Sequence, residues 1–222
     1  MIIIGITGTI GAGKGTIVEL LIKKGFKHYS VRDFLVEEIK KRGLEINRDT
    51  MTSTANSLRE EFGNDYIVKT ILNTAIANGD DCVIESIRND KEIELLRNIH
   101  NFYLFSVDAD IKTRYQRISL RKSATDNVSF ETFVENEKRE MQSDNNNSQN
   151  IAICMQKADY TFNNDQDVES LSKQVEEVLK QMEKFKRPSW DEYFMDLANA
   201  AAKRATCDRG RSGCVIVKDK QV

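Results

Sequence analysis

Between Met1 and Lys24 the chain reads as strand, glycine-rich loop and helix, and few folds use that order. Ile2-Ile3-Ile4-Gly5-Ile6-Thr7 is a continuous apolar run, as expected of a strand covered on both faces. Lys14 to Lys24 places Ile17, Leu20 and Leu21 on one helical face, and Gly25 stops it. Between the two stands Gly8-Thr9-Ile10-Gly11-Ala12-Gly13-Lys14-Gly15-Thr16. Glycines let a backbone wrap closely round phosphate oxygens, with successive N–H groups and the positive helix end facing the anion. The string gains its meaning from its place between strand and helix. Gly8, Gly11, Ala12, Gly13, Lys14, Gly15 and Thr16 are therefore the expected nucleotide contacts. Lys14 would reach the β- and γ-phosphates of ATP or another nucleoside triphosphate, and Thr16 would offer a hydroxyl to phosphate or to Mg2+. A tight turn with no ligand is the plainer alternative.

The same alternation continues downstream. Strands are expected at 27–30, 82–87, 102–107 and, more weakly, 159–162. Helices are expected from Ser30 to before Gly43, then at 51–62, 66–78, 90–97 and 110–122, with a long one from Val168 to about Lys186. Strands separated by helices imply an α/β fold with a parallel sheet. Ser143 to Asn150 is polar and of low complexity, and reads as an exposed loop in a mobile region.

The chain's one proline, Pro188, marks a boundary. Ser189 and Glu192 have the spacing of a capping box. A helix with Trp190, Phe194, Leu197, Ala198, Ala201 and Ala205 on one side follows, then a strand at Cys214-Val215-Ile216-Val217.

Composition narrows the partners. The 222 residues hold 33 Lys and Arg against 35 Asp and Glu, a net charge of −2, so no general basic field exists to draw in nucleic acid. No apolar run approaches the roughly 18 residues of a membrane span. Four dispersed cysteines read as reduced thiols, with Cys207 and Cys214 expected to be buried and apolar, and the location expected is cytoplasmic. His28 and His100 lack ligand-spaced partners and read as surface or capping residues.

In the strict pattern Ser or Thr directly follows the loop lysine; here Gly15 and then Thr16 follow it. With that variant, residues 1–185 resemble the adenylate-kinase and dephospho-coenzyme-A-kinase branch of P-loop kinases. The resemblance implies a P-loop kinase-like domain, with a five-stranded parallel sheet flanked by helices. It also places Ser30, Arg32 and Asp33 toward an acceptor. Asp33 is then a candidate general base, or simply a helix-capping residue. Glu85-Ser86-Ile87-Arg88 stands where this branch has Asp-Gly-x-Arg, making Arg88 a phosphate contact. Arg114, Arg117 and Arg121 fall where the lid begins; Arg117 and Arg121 are candidate catalytic arginines, or part of a solvated basic face.

Residues 187–222 contain Arg187-Pro188-Ser189-Trp190-Asp191-Glu192-Tyr193-Phe194-Met195, Arg204-Ala205-Thr206-Cys207 and Gly213-Cys214-Val215-Ile216-Val217-Lys218-Asp219. These are similar to the opening of deoxycytidylate (dCMP) deaminases. The resemblance implies a fragment of a cytidine-deaminase-like α/β domain, its first helix and strand. It also implies self-association, and Zn2+ only in a complete deaminase domain, because the His-x-Glu and Pro-Cys-x-x-Cys ligands do not occur here. Three functions follow as expectations. The chain is part of a two-domain enzyme converting dCMP to dUMP, itself binding nucleotide without deaminating; or an active kinase moving the ATP γ-phosphate to a small acceptor; or a non-catalytic nucleotide-binding module.

Overall fold

The computed structural model describes residues 1–121, 128–141, 150–185, 190–206, 210–218 and 221. Two compact units divide it, Met1–Glu176 and Glu177–Val222. That division falls inside a helix rather than at the basic stretch before Pro188.

The first unit is built on β1 (Ile3–Gly8), β2 (Lys27–Ser30), β3 (Cys82–Glu85), β4 (Phe102–Asp108) and β5 (Tyr160–Asn163). They form one five-stranded sheet in the order β2-β3-β1-β4-β5. Every pairing is parallel, with Ile6 opposite Glu85, Ser30 opposite Glu85, and Gly8 opposite Val107. Parallel pairing gathers the carboxyl ends of β2, β3, β1 and β4 along one edge, where α/β folds bind ligands.

Helices α1 (Lys14–Lys23), α2 (Val31–Lys41), α3 (Arg48–Phe62), α4 (Tyr66–Asn78) and α5 (Asp90–Arg97) alternate with the strands, near the sequence expectations. α6 (Ile111–Arg121), α7 (Phe130–Met141), α8 (Ile151–Gln156) and α9 (Val168–Phe185) complete the order before the tail. Sequence periodicity did not signal α7 or α8. Ile3, Ile84 and Leu104 share a buried cluster with Leu35, Leu58, Ile71 and Leu72 from α2, α3 and α4. Their strand neighbours Ile4, Val83 and Phe105 point the other way, as the two-residue period requires, and are also fully buried. A sheet apolar on both faces explains the unbroken Ile2–Ile6 run.

Caps set the helix starts. Ser30 Oγ accepts the Asp33 N–H, while Asn47, Asn89 and Asn150 cap α3, α5 and α8. The strand expected over 82–87 ends at Glu85, because Ser86 takes a left-handed φ of 67°.

In the second unit α10 (Trp190–Ala202) forms as expected. Its proposed cap, Ser189, lies outside the described residues, as do 143–149 of the polar loop. The strand expected at Cys214–Val217 does not form. Those residues have no regular structure, Ile216 is 85% exposed, and among the described residues the bridge nearby is Lys218 with Gln221. Cys214 is exposed rather than buried, and Cys207 lies outside the described residues. The tail thus holds the expected helix without its strand.

Candidate functional site

The loop from Gly8 to Thr16 sits at the carboxyl end of β1 and is pinned from three sides. Lys14 Nζ turns back to donate to the carbonyls of Gly8 (2.8 Å) and Thr9 (2.7 Å). Arg114, buried on α6, donates through Nη1 to Ile10 O at 3.3 Å and through Nε to Ala109 O at 2.7 Å. Asn164, just past β5, donates through Nδ2 to Ala12 O at 2.8 Å. With these carbonyls engaged, the loop is held in a bowed path round the start of α1. Gly13 caps that helix with φ 107° and no side-chain bond, and a Cβ there would stand 2.2 Å from Asn164 Nδ2. At Gly8, φ is 135° and a Cβ would meet Val107 O at 2.1 Å. Neither position accepts a side chain, so the loop keeps the bare cradle that a phosphate needs.

A cleft of about 460 Å³ opens from this loop. Gly11, Gly13, Lys14 and Gly15 line one end, with Glu85, Ser86, Arg88, Arg121 and Glu140 beside them. The other end is walled by Val31, Arg32 and Leu35 of α2 and by Met51, Thr52, Ala55 and Arg59 of α3. Burial, and then the Arg88 charge, lower the Lys14 pKa from 10.5 to about 7, against the opposing pull of Glu140 and Glu85.

The expected residues fare differently. Arg88 and Arg121 line the cleft, and Arg88 Nη1 pairs with Glu140 Oε2 at 2.9 Å. Asp33 is exposed and does not line it; its backbone N–H serves the α2 cap. Arg117 is also off the lining and donates to Gln166 O at 3.1 Å. Thr16 lies in the first turn of α1, half-buried and beside the lining rather than in it.

Four residues matter that sequence reasoning overlooked or set aside. Glu85 faces the cleft, accepts from Ser30 Oγ at 3.0 Å, and lies 3.6 Å from His28 Nε2. Register could have shown this, since β2 and β3 place Ser30 directly opposite Glu85. Asn164 stands 152 residues from its partner Ala12 and carried no local signal. Arg114 proves a loop anchor, salt-bridged to Glu137 at 2.7 Å. Arg59, 3% exposed, pairs with buried Glu92 at 3.2 Å.

Residues 4–143 match the AAA domain family. Along 194 residues the chain is 32% identical to a UPF0200 protein of Methanocaldococcus jannaschii, covering 84% of this chain and 95% of that protein. A Methanothermobacter thermautotrophicus UPF0200 protein is 30% identical, with 82% and 91% covered.

This chain belongs to the UPF0200 family.

Solved structures agree on the fold. A Thermus thermophilus protein superposes with a TM-score of 0.56 at 19% identity, over 84% of this chain and 98% of that one. Shikimate kinase from Bacteroides thetaiotaomicron gives 0.53 at 15%, over 82% and 98%. Dephospho-CoA kinase from Campylobacter jejuni gives 0.51 at 16%, over 83% and 98%. The UPF0200 chain thus has an α/β P-loop kinase-like fold, and its P-loop domain implies binding of a nucleoside triphosphate.

The dCMP deaminase reading is corrected by these findings. This chain matches an AAA domain over residues 4–143 and UPF0200 proteins over 91–95% of their own length, and the strand that carried much of the deaminase resemblance is absent from the described residues. Neither the family nor the enzyme class is that of a deaminase. Among the described residues, no three His, Cys, Asp or Glu side chains gather as a metal site, and no helix is long and apolar enough to cross a membrane.

Proposed function

We propose that this UPF0200 chain is a small-molecule kinase, moving the terminal phosphoryl group of ATP to a hydroxyl of a small acceptor. The observation that carries this reading is the cleft, which extends from the phosphate loop to the side chains of α2 and α3. A module that only bound nucleotide phosphates would not require a cleft that reaches those helices.

In this reading Gly8, Gly11, Ala12, Gly13, Gly15 and Thr16 surround the phosphates, and Lys14 exchanges its two loop carbonyls for phosphate oxygens. Mg2+ bound with the nucleotide would screen phosphate charge, and Thr16 is the residue that would hold it. The acceptor oxygen forms a bond to the γ-phosphorus as the bridging bond to the β-phosphate breaks, leaving ADP. The hydroxyl proton needs a carboxylate. Glu85, oriented by Ser30 and His28 within the cleft, suits that role better than exposed Asp33. Arg88 and Arg121 would balance charge on the transferring group.

ADP release from ATP, followed over a panel of hydroxyl compounds, tests the proposal. Phosphorylated product with at least one acceptor is expected, reduced by about 10²-fold or more in Glu85→Gln. ATP binding without transfer to any acceptor would leave the binding-module reading.

A further inference from the structure

Arg59 carries more hydrogen-bonding capacity than the protein uses. It sits on α3, lines the acceptor end of the cleft, and is 3% exposed. Its Nη2 donates to Glu92 Oε1 at 3.2 Å. Glu92 cannot do much more, since its Oε2 already accepts the backbone N–H groups of Arg88 (2.9 Å) and Asn89 (3.1 Å). Nε and Nη1 of Arg59 are buried and, among the described residues, have no hydrogen-bond partner. Buried guanidinium donors are seldom left unmade, because their desolvation is then uncompensated.

Charge points the same way. Among the described residues the cleft is lined by the cations Lys14, Arg32, Arg59, Arg88 and Arg121 and by the carboxylates Glu85 and Glu140. Lys14, Arg88 and Arg121 lie with the phosphate loop in the kinase reading. Arg32 and Arg59 belong to α2 and α3, which also present Val31, Leu35, Met51 and Ala55 to the cleft.

Building on that kinase reading, we propose that the acceptor is itself an anion: a small hydroxyl compound with an oxyanion group, carboxylate or phosphate, held by Arg59 Nε and Nη1. Arg59 serves as the recognition residue and Glu92 as the residue that positions it. The apolar walls take the acceptor's carbon skeleton, and neutral hydroxyl compounds are rejected because they leave the two donors unmade.

Thermal unfolding of the full chain tests this directly. The Lys14→Ala variant, its phosphate loop disabled, is titrated at constant ionic strength with sodium phosphate, sodium acetate and sodium chloride. Phosphate or acetate should raise the melting temperature, and chloride should not. A rise with phosphate alone marks a phosphate ester as acceptor, and a rise with acetate alone a carboxylate. Adding Arg59→Met together with Glu92→Gln, which removes the pair without stranding a charge, should abolish the rise. Adding Arg59→Lys, which keeps a cation for Glu92 but loses the two donors, should weaken anion binding at least tenfold. No rise with either anion, or a rise that survives loss of Arg59, overturns the proposal.

A separate assay compares ADP release by the unaltered chain with glycerate, glycerol 3-phosphate and glycerol. Faster release with an anionic member supports the proposal, and equal release with glycerol overturns it. No release with any of them or with the wider panel of hydroxyl compounds, alongside an Arg59-dependent rise, would sink the kinase reading and leave the anion site standing.

Discussion

Lys14 is where sequence motif and tertiary setting meet. Its place in the glycine-rich string was legible, but its lowered pKa arises from enclosure by the cleft and from nearby Arg88. The sign of the consequence follows from 10.5 in the unfolded chain against about 7 in the folded one. Between these values the unfolded chain binds the extra proton, so Lys14 makes stability rise with pH across that window. Lys14→Met should therefore melt above the unaltered chain at or below pH 7, with the gap closing toward pH 10. If Lys14 meets the triphosphate as proposed, binding restores the charged amine, so calorimetry at pH 8 in buffers of different ionisation enthalpy should show proton uptake, absent in Lys14→Met. The cysteines give a second check. Burial raises Cys82 to about 11 and Cys154 to about 12, whereas Cys214 is exposed. A thiol reagent on the folded protein should label Cys214 and spare Cys82 and Cys154; labelling of either buried thiol at the same rate would contradict the packing.

At the scale of elements, the phosphate loop depends on α6 and on the end of β5 as much as on its own glycines. Asn164→Ala removes the donor to Ala12 O and should cost about 1–3 kcal/mol, read as a lower denaturant midpoint, with weaker triphosphate binding. Arg114→Met leaves Glu137 without its 2.7 Å partner and frees Ile10 O, and should cost about 3–5 kcal/mol. An unaltered midpoint in both variants would mean that the loop holds its shape unaided. The elements themselves were largely readable: α4 and α5 match their expected bounds, and Ser30 caps α2 as its position suggested. α7 and α8 went unread, α8 being only six residues long and too short for a periodicity to register.

Considered as a whole molecule, the chain keeps its candidate cleft entirely within the first compact unit. A protein ended after Phe185 retains all of α9 and should unfold cooperatively, with the same ATP-induced rise in melting temperature as the full chain. Loss of that rise would tie residues beyond 185 to nucleotide binding. The tail also shows why a short motif misleads. α10 forms from its own hydrogen bonds, but Cys214–Val217 has strand-like residues and no ladder to join, and a strand without a partner leaves its backbone groups to water.

What the sequence determined by itself was local or periodic: the strand-loop-helix start, the alternation that builds a parallel sheet, and a phosphate loop bare of side chains where backbone must approach an anion. Tertiary structure decided what depends on distant partners. It chose Glu85 over Asp33 for the cleft, because β2 and β3 pair in the register that sets Ser30 against Glu85. It brought Asn164 and Arg114 to the loop across 152 and 104 residues. It also buried Arg59 beside Glu92 with two donors unused among the described residues. Helix and strand periods record only which face of an element is apolar; which polar groups meet across the core is fixed by packing, which no local pattern encodes.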